Sequence, residues 1–216
     1  MISVVVLAYP YAMQVASERL GIRGAALGLL GFVAVSTAVQ SRSFVRALRG
    51  GGAPSLGIPL VLAAAAATER SVFLQLVPVF VYWTLGEVAR TSLRAGHSLI
   101  EQAVRYLIPE APDFVRPYCR RLTALWAFFF FSSAAGIAAL AWLGPPGWWR
   151  AFTSLWIYVA MLVVSIVEFF VRKTWFRYYF HDGPFDRLWS RLFPAEATPQ
   201  GRESLEHIRR FRANQR

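Results

Sequence analysis

The residues of this chain that could do chemistry are acidic side chains placed beside arginines at helical spacing. Glu168 lies near the end of a long apolar run and is followed at i+4 by Arg172, and Glu87 ends another run with Arg90 at i+3. A carboxylate inside a membrane span is costly and often functional, although a neighbouring arginine lowers the cost by pairing with it. These candidates for an intramembrane polar site therefore have two interpretations, a structural ion pair and a contact for a proton or a polar head group.

Within residues 87–121, polar side chains recur every three or four positions from Glu87 to Arg105, so these side chains share one face of a helix. The candidates for binding lipid head groups or a protein partner are Arg94, His97, Glu101, Arg105, Arg120 and Arg121. This amphipathic stretch could cap a helix bundle, lie in the membrane interface or dock a cytosolic partner, and the pattern does not separate these three. Gly96 is predicted to interrupt it, and Pro109, Pro112 and Pro117 prevent its regular continuation into the next span.

Sequence motifs of common enzyme classes are weak or missing. His181 and Asp186 have the H-x-x-x-x-D spacing of membrane glycerolipid acyltransferases, but the phosphate-binding motif that should follow is disrupted and lies too close. There is no Walker A, G-x-S-x-G or H-E-x-x-H motif, and Cys119 and three histidines form no metal-ligand cluster. The sequence predicts no metal and no cofactor, and it favours a protein without its own enzymatic activity.

The elements that carry these residues are predicted to be membrane helices. Of the 216 residues, 56% are hydrophobic and 16% charged, and the charges fall in short clusters between apolar runs. The runs 122–143 and 151–171 are long enough to span, whereas 2–17, 24–40, 56–68 and 71–86 are shorter. The predicted fold class is all-α, a polytopic transmembrane bundle of about six spans, with about four or five as alternatives.

The predicted organisation has four parts. Residues 1–86 form a membrane half of about four helices, 87–121 a cytoplasmic amphipathic loop, 122–171 two C-terminal spans, and 172–216 a basic cytoplasmic tail that ends in a helix capped at Thr198-Pro199. The run 56–68 would reach only roughly 20 Å, so Glu69-Arg70 is predicted to form a tight interfacial turn. Gly24 and Gly28 form a G-x-x-x-G motif, which favours close helix packing in the bundle or in a dimer.

The basic residues predict the orientation. With both termini in the cytoplasm of a bacterial inner membrane, nineteen of the 23 Lys and Arg residues lie inside. The outer loops then hold only Arg19, Arg23, Arg70 and Arg150. Because the bases border membrane spans, the net charge of +11 indicates anionic lipid head groups as partners and not nucleic acid. Trp142, Trp148 and Trp149 are predicted to be interfacial anchors.

Several segments resemble an uncharacterised family of bacterial inner-membrane proteins. They are Tyr9-Pro10, Leu76-Val77-Pro78, and residues 93–101, 118–129, 156–158 and 168–173. The resemblance covers most of residues 1–190. Members are typically encoded among fatty-acid-synthase-like genes for aryl polyene pigments, beside acyl-carrier proteins and acyltransferases, and some carry the name ketosynthase by association. This chain has no catalytic cysteine in a ketosynthase setting and no room for a thiolase fold, and Ala95 stands where the family often has proline.

The resemblance implies an accessory role in membrane-associated acyl or aryl-polyene lipid biosynthesis, in which the inward-facing bases hold an acyl-carrier protein or an acyltransferase. One alternative is a small lipid or product translocator, in which Glu168 and Glu87 contact a polar head group. Another is a membrane-bound transferase that uses Glu168 or His181. A homo-oligomer is left open.

Overall fold

A computed structural model describes residues 2–39, 54–107, 112–145, 147–175 and 184–214. These residues form helices, turns and short connections, with no strand among them. The helices are, in chain order, α1 (Ile2–Val39), α2 (Pro54–Thr68), α3 (Ser71–Gln75), α4 (Val77–Arg94), α5 (Leu99–Leu107), α6 (Arg116–Leu143), α7 (Trp148–Ala151), α8 (Ile157–Trp175), α9 (Pro184–Leu192) and α10 (Pro199–Asn214). The all-α prediction is confirmed for this part of the chain.

Three helical stretches of the described chain are long and apolar enough to cross a membrane. They are Ser71–Arg94, Asp113–Leu143 and Trp148–Trp175. The apolar helix Gly57–Thr68 is shorter, as its sequence predicts. The chain therefore has the helices of a membrane protein, whereas the count of about six spans stays a prediction.

The breaks in the N-terminal half lie where the sequence places them. Within α1, Gly21 has a non-helical backbone (φ 71°, ψ 168°) that separates the two predicted apolar runs. Between α2 and α3, Glu69 has a left-handed backbone (φ 53°), and its N–H donates to Ala65 O at 2.9 Å. This bond closes the end of α2, so the predicted tight turn at Glu69-Arg70 is confirmed.

A hydrogen bond from α1 compensates for a proline at the junction of α3 and α4. Pro78 lies in the first turn of α4 and has no N–H to donate to the carbonyl of Leu74 four residues earlier. The hydroxyl of Tyr9 donates to Leu74 O instead, at 2.9 Å. Tyr9 thereby joins α1 to the first of the long spans.

Replacing Tyr9 with phenylalanine should leave this carbonyl unpaired in an apolar environment. We expect a loss of about 1–3 kcal/mol of stability, measured as a lower thermal midpoint of the purified protein in detergent. Tyr11→Phe is the matched control, because Tyr11 is exposed on the same helix. Equal midpoints for the two variants would contradict this role of Tyr9.

Two close contacts between helices are made by glycines outside the G-x-x-x-G motif. A Cβ added to Gly86 of α4 would lie 2.9 Å from the ring of Phe131 in α6, and one on Gly57 would overlap the ring of Phe80. By contrast, a Cβ on Gly28 meets nothing within 4 Å. The predicted close packing at Gly24 and Gly28 is therefore not found within the described part of the bundle, where no other helix lies against this face of α1.

The helices on both sides of the predicted cytoplasmic loop extend into it. Helix α4 continues to Arg94, where Gly96 (φ 92°) breaks the chain as predicted, and α6 already begins at Arg116. Pro117 does not obstruct α6, because it lies in the first turn, where a missing N–H costs nothing. Most of residues 87–121 that the structure describes are therefore helical.

Helix α8 lies outside the main bundle. Its first residue, Ile157, packs with Tyr82, Ala134 and Ile137 in a buried cluster, after a π-helical turn at Phe152–Trp156. Farther along, the apolar side chains of α8 are largely exposed, which suits a helix in contact with lipid. They include Leu162, Val163, Ile166 and Val167.

The C-terminal helix α10 returns to the end of α8. Thr198 caps it by accepting the N–H of Gly201 at 3.1 Å, which confirms the predicted cap. The hydroxyl of Ser204 donates to Trp175 O at 3.3 Å, and the His207 ring meets Phe114 edge-on at 5.9 Å. At the opposite end of α6, Trp142 and Trp148 are exposed, as interfacial anchors would be.

Candidate functional site

The most buried acid among the candidates is Glu101, in the first turn of α5. It is 3% exposed, and it forms a reciprocal capping box with Ser98. The N–H of Glu101 donates to Ser98 Oγ, and the N–H of Ser98 donates to Glu101 Oε2, each at 3.4 Å. The S-x-x-E spacing that produces this box is present in the sequence.

Cationic and polar side chains surround the Glu101 carboxylate. His97 Nδ1 lies 3.0 Å from Oε1, Arg105 Nε 3.3 Å and Arg116 Nε 3.6 Å. Burial alone would raise the pKa of Glu101, but the hydrogen bonds from His97 and Ser98, together with the charge of Arg116, lower it overall. The carboxylate is thus held ionised, and it ties α5 to the start of α6.

Two more hydroxyl groups cap the same helix end. The N–H of Leu99 donates to Ser92 Oγ at 2.9 Å, and the N–H of Ile100 donates to Thr123 Oγ1 at 3.3 Å. Because Ser92 belongs to α4 and Thr123 to α6, α5 is attached to both neighbouring helices. Sequence reasoning missed both residues, since their role depends on packing between helices distant in sequence.

Helix α5 is buried on one side and exposed on the other. Glu101 is buried, and Ile100 and Val104 pack against Val115 and Cys119, whereas Tyr106 and Leu107 are 87% and 77% exposed. Such an apolar edge suits a helix that lies in the membrane interface. Capping of the bundle and contact with the interface, two of the three predicted interpretations, are therefore compatible in one helix.

The second predicted acid, Glu87, is engaged by Arg90 within α4. Arg90 Nη2 lies 2.6 Å from Glu87 Oε2, and Arg90 Nε lies 3.0 and 3.1 Å from the two carboxylate oxygens. This fork geometry is the strong form of an arginine–carboxylate pair. Of the two interpretations, the geometry favours a structural ion pair for Glu87.

Glu168 has one contact on its own helix and one on α6. Arg172 Nε lies 3.1 Å from Glu168 Oε1, and the hydroxyl of Tyr118 donates to the same oxygen at 2.9 Å. The rings of Tyr118 and Trp175 also meet edge-on, with their centroids 5.9 Å apart. Sequence reasoning missed Tyr118, which lies 50 residues away from Glu168 along the chain.

A groove runs from this polar cluster along the space between α6 and α8. Its volume is about 400 Å³, and it is open to the side. The walls are aliphatic side chains of both helices, namely Leu122, Leu125, Val163, Val164, Val167 and Val171. Tyr118, Arg121, Glu168 and Trp175 complete the lining, so all the polar groups lie at one end.

A basic surface lies at the end of the bundle where α4 finishes and α6 begins. We call Arg94, Arg116 and Arg120 the α4–α6 basic surface. Arg116 Nη2 donates to Gly96 O at 2.8 Å and Arg120 Nη2 to Leu93 O at 3.2 Å, so two of these side chains are held by carbonyls near the end of α4. Arg94 is exposed and makes no hydrogen bond or ion pair with the described residues.

The structure thus separates the predicted head-group or partner residues into two groups. His97, Glu101 and Arg105 belong to the buried Glu101 cluster, where Arg105 also pairs with Asp113 at 2.9 Å. Arg94, Arg120 and Arg121 are exposed at the surface. His181, the base of the weak acyltransferase pattern, lies outside the described residues.

The chain matches no protein-family model, no curated protein and no solved structure. The resemblance to the aryl-polyene-associated family, and every function that it implies, therefore stays a prediction.

Proposed function

We propose that this protein is an accessory protein of the bacterial inner membrane, without its own enzymatic activity, that holds an acidic partner at the cytoplasmic face. The partner class that fits best is an acyl-carrier protein or an acyltransferase of acyl or aryl-polyene lipid assembly. In the proposed topology, about six helices cross the membrane and both termini are cytoplasmic.

The α4–α6 basic surface is the observation that carries this proposal. Its guanidinium groups lie on the ends of two long, closely packed helices, and the Glu101 cluster joins those ends through α5. Arg116 and Arg120 each bind one carbonyl, and Arg116 also pairs with Glu101 at 3.6 Å. Because a guanidinium has five N–H donors, both side chains retain donors for a partner. A rigid array of exposed cations suits electrostatic docking of an acidic protein.

The position of this surface supports the proposed orientation. Helices α4 and α6 bring Arg94 and Arg116 to one end of the bundle, whereas the Glu69-Arg70 turn and Trp148 belong to the other. An excess of arginine at one end is what the positive-inside rule expects of a cytoplasmic face. Acyl-carrier proteins are cytoplasmic and acidic, so this is the face that would meet them.

Reversing two charges of the surface should weaken binding of an acyl-carrier protein. For the double variant Arg94→Glu and Arg120→Glu, we expect the Kd of the acyl-carrier protein to rise about tenfold or more at low salt. Each substitution replaces an attraction between opposite charges by a repulsion between like charges. Binding of purified acyl-carrier protein to the full chain in nanodiscs, at rising salt concentrations, measures this effect.

Arg70→Glu is the matched control for that experiment, because Arg70 is an exposed arginine at the other end of the bundle. It should bind as the unchanged protein does. Absence of binding at low salt, or equal binding by the double variant, would refute docking at this surface.

A lipid or product translocator is the second candidate, because Glu168 lines a groove that opens to the side. Deletion of the gene, followed by extraction of lipid and pigment from separated inner and outer membranes, discriminates the two functions. Loss of product supports the accessory role in synthesis, whereas accumulation in the inner membrane supports transport.

A further inference from the structure

The groove between α6 and α8 has the shape and lining of a site for a hydrocarbon chain. From Val163 to Val171 the α8 wall rises about 12 Å, and its aliphatic side chains face those of Leu122 and Leu125. No described side chain fills the space between them, which amounts to about 400 Å³.

The polar end of the groove has an excess of positive charge. Glu168 is already neutralised by Arg172 at 3.1 Å and receives the hydroxyl of Tyr118 at 2.9 Å. Arg121 also lines this end, is exposed, and makes no hydrogen bond or ion pair with the described residues. The surface that faces the groove is almost entirely apolar, so the Arg121 guanidinium lies at its mouth, beside the head group of a ligand whose hydrocarbon fills the groove.

We propose that the groove binds one acyl chain of an anionic phospholipid, with the phosphate of its head group at Arg121. The acyl chain lies between α6 and α8, and the Tyr118–Glu168 hydrogen bond links these two helices at the end of the groove. Arg121 supplies the attraction for negative charge, since the carboxylate beside it is already paired.

The lining favours a lipid over a helix of another copy of the chain. The aliphatic walls end beside Arg121, an exposed side chain with no ion pair among the described residues, and this arrangement matches a hydrocarbon chain joined to a negatively charged head group. A flexible acyl chain can follow the slot along its whole length.

Native mass spectrometry of the full chain, released from detergent with added lipid, tests this proposal. We expect the protein to retain phosphatidylglycerol about fivefold better than phosphatidylcholine with the same acyl chains, as one guanidinium near an anionic head group would give. Arg121→Gln should abolish this preference, while the acyl chain of either lipid still binds in the groove. Val167→Trp should reduce retention of both lipids, because the indole occupies the groove.

Each variant has a matched control outside the groove. Val159→Trp places an indole on an exposed position of the same helix, and Arg70→Gln removes another exposed arginine without an ion pair among the described residues. Both should bind lipid as the unchanged protein does. Size-exclusion chromatography checks that all variants are folded.

The proposal is overturned if Val167→Trp and Val159→Trp retain lipid equally, or if Arg121→Gln keeps the head-group preference. It is also overturned if Val167→Trp breaks a dimer and changes no lipid binding, because the groove is then an interface between copies. None of the groove variants changes the α4–α6 basic surface, so this result is independent of docking by an acidic protein.

Discussion

Replacing Glu101 with lysine is expected to cost about 3–5 kcal/mol of stability, because it sets a buried cation beside other cations and removes the carboxylate that compensates them. Arg105 Nε and Arg116 Nε lie 3.3 and 3.6 Å from that carboxylate, and the group is 3% exposed. Fluorescence-detected size-exclusion chromatography of a tagged protein should show little folded material. Glu101→Gln, which keeps the shape and loses the charge, should have an intermediate effect.

Ala103→Lys is the control for this prediction, because Ala103 is exposed on the same helix. It adds the same side chain at a position outside the protein interior, where a lysine ammonium group can extend to water or to lipid head groups, so we expect a near-normal elution profile. If Glu101→Lys behaved like Ala103→Lys, the carboxylate would not be the link between α5 and α6.

The same carboxylate gives the stability a defined dependence on pH. Because the folded-state pKa of Glu101 lies below its ordinary value of 4.5, the ionised group favours the folded state at neutral pH. That contribution is lost as the pH falls through the lowered pKa. The difference in thermal midpoint between the unchanged protein and Glu101→Gln should therefore shrink toward acidic pH.

Replacing Gly86 with leucine is expected to prevent normal packing of α4 on α6. A Cβ there already lies 2.9 Å from the Phe131 ring, and that ring is held edge-on against Trp83 at 5.1 Å. Overpacking of this kind costs about 1–3 kcal/mol, and more where neighbouring side chains cannot move away. The thermal midpoint in detergent should fall, and adding Phe131→Ala should recover part of the loss by making room.

Gly28→Leu is the matched control, and its effect should have the opposite sign. Gly28 lies in a helix and faces open space, so leucine adds helix propensity of up to about 1 kcal/mol without a clash. A midpoint lowered as much as that of Gly86→Leu would show that the G-x-x-x-G motif packs against a neighbour, such as a second copy of the chain.

Local features of the fold were predictable from sequence because their causes are local. The Glu69-Arg70 turn, the break at Gly96 and the Thr198 cap each follow from residue types within a few positions. The ion pairs of Glu87 with Arg90 and of Glu168 with Arg172 follow from helical spacing alone.

The candidate site was only partly predictable, because its decisive contacts join distant segments. Spacing placed Glu101 on the polar face of a helix, but burial of that face depends on Ser92 and Thr123 from other helices. The partner of Glu168 on α6, Tyr118, and the glycine contact of Gly86 with Phe131 likewise depend on which helices pack together. The spacing of polar residues identifies one face of a helix, but it does not identify which other helix packs against that face.

The complete capping of α5 limits how this end of the protein can recognise an anion. The first N–H groups of a helix and its positive macrodipole normally offer a ready site for phosphate. Here Ser92, Thr123 and Ser98 accept those N–H groups, and the charge of Glu101 lies against the same helix end. The start of α5 therefore offers no free N–H group to a phosphate or carboxylate, and an anion that binds beside it would contact the guanidinium side chains of the α4–α6 basic surface.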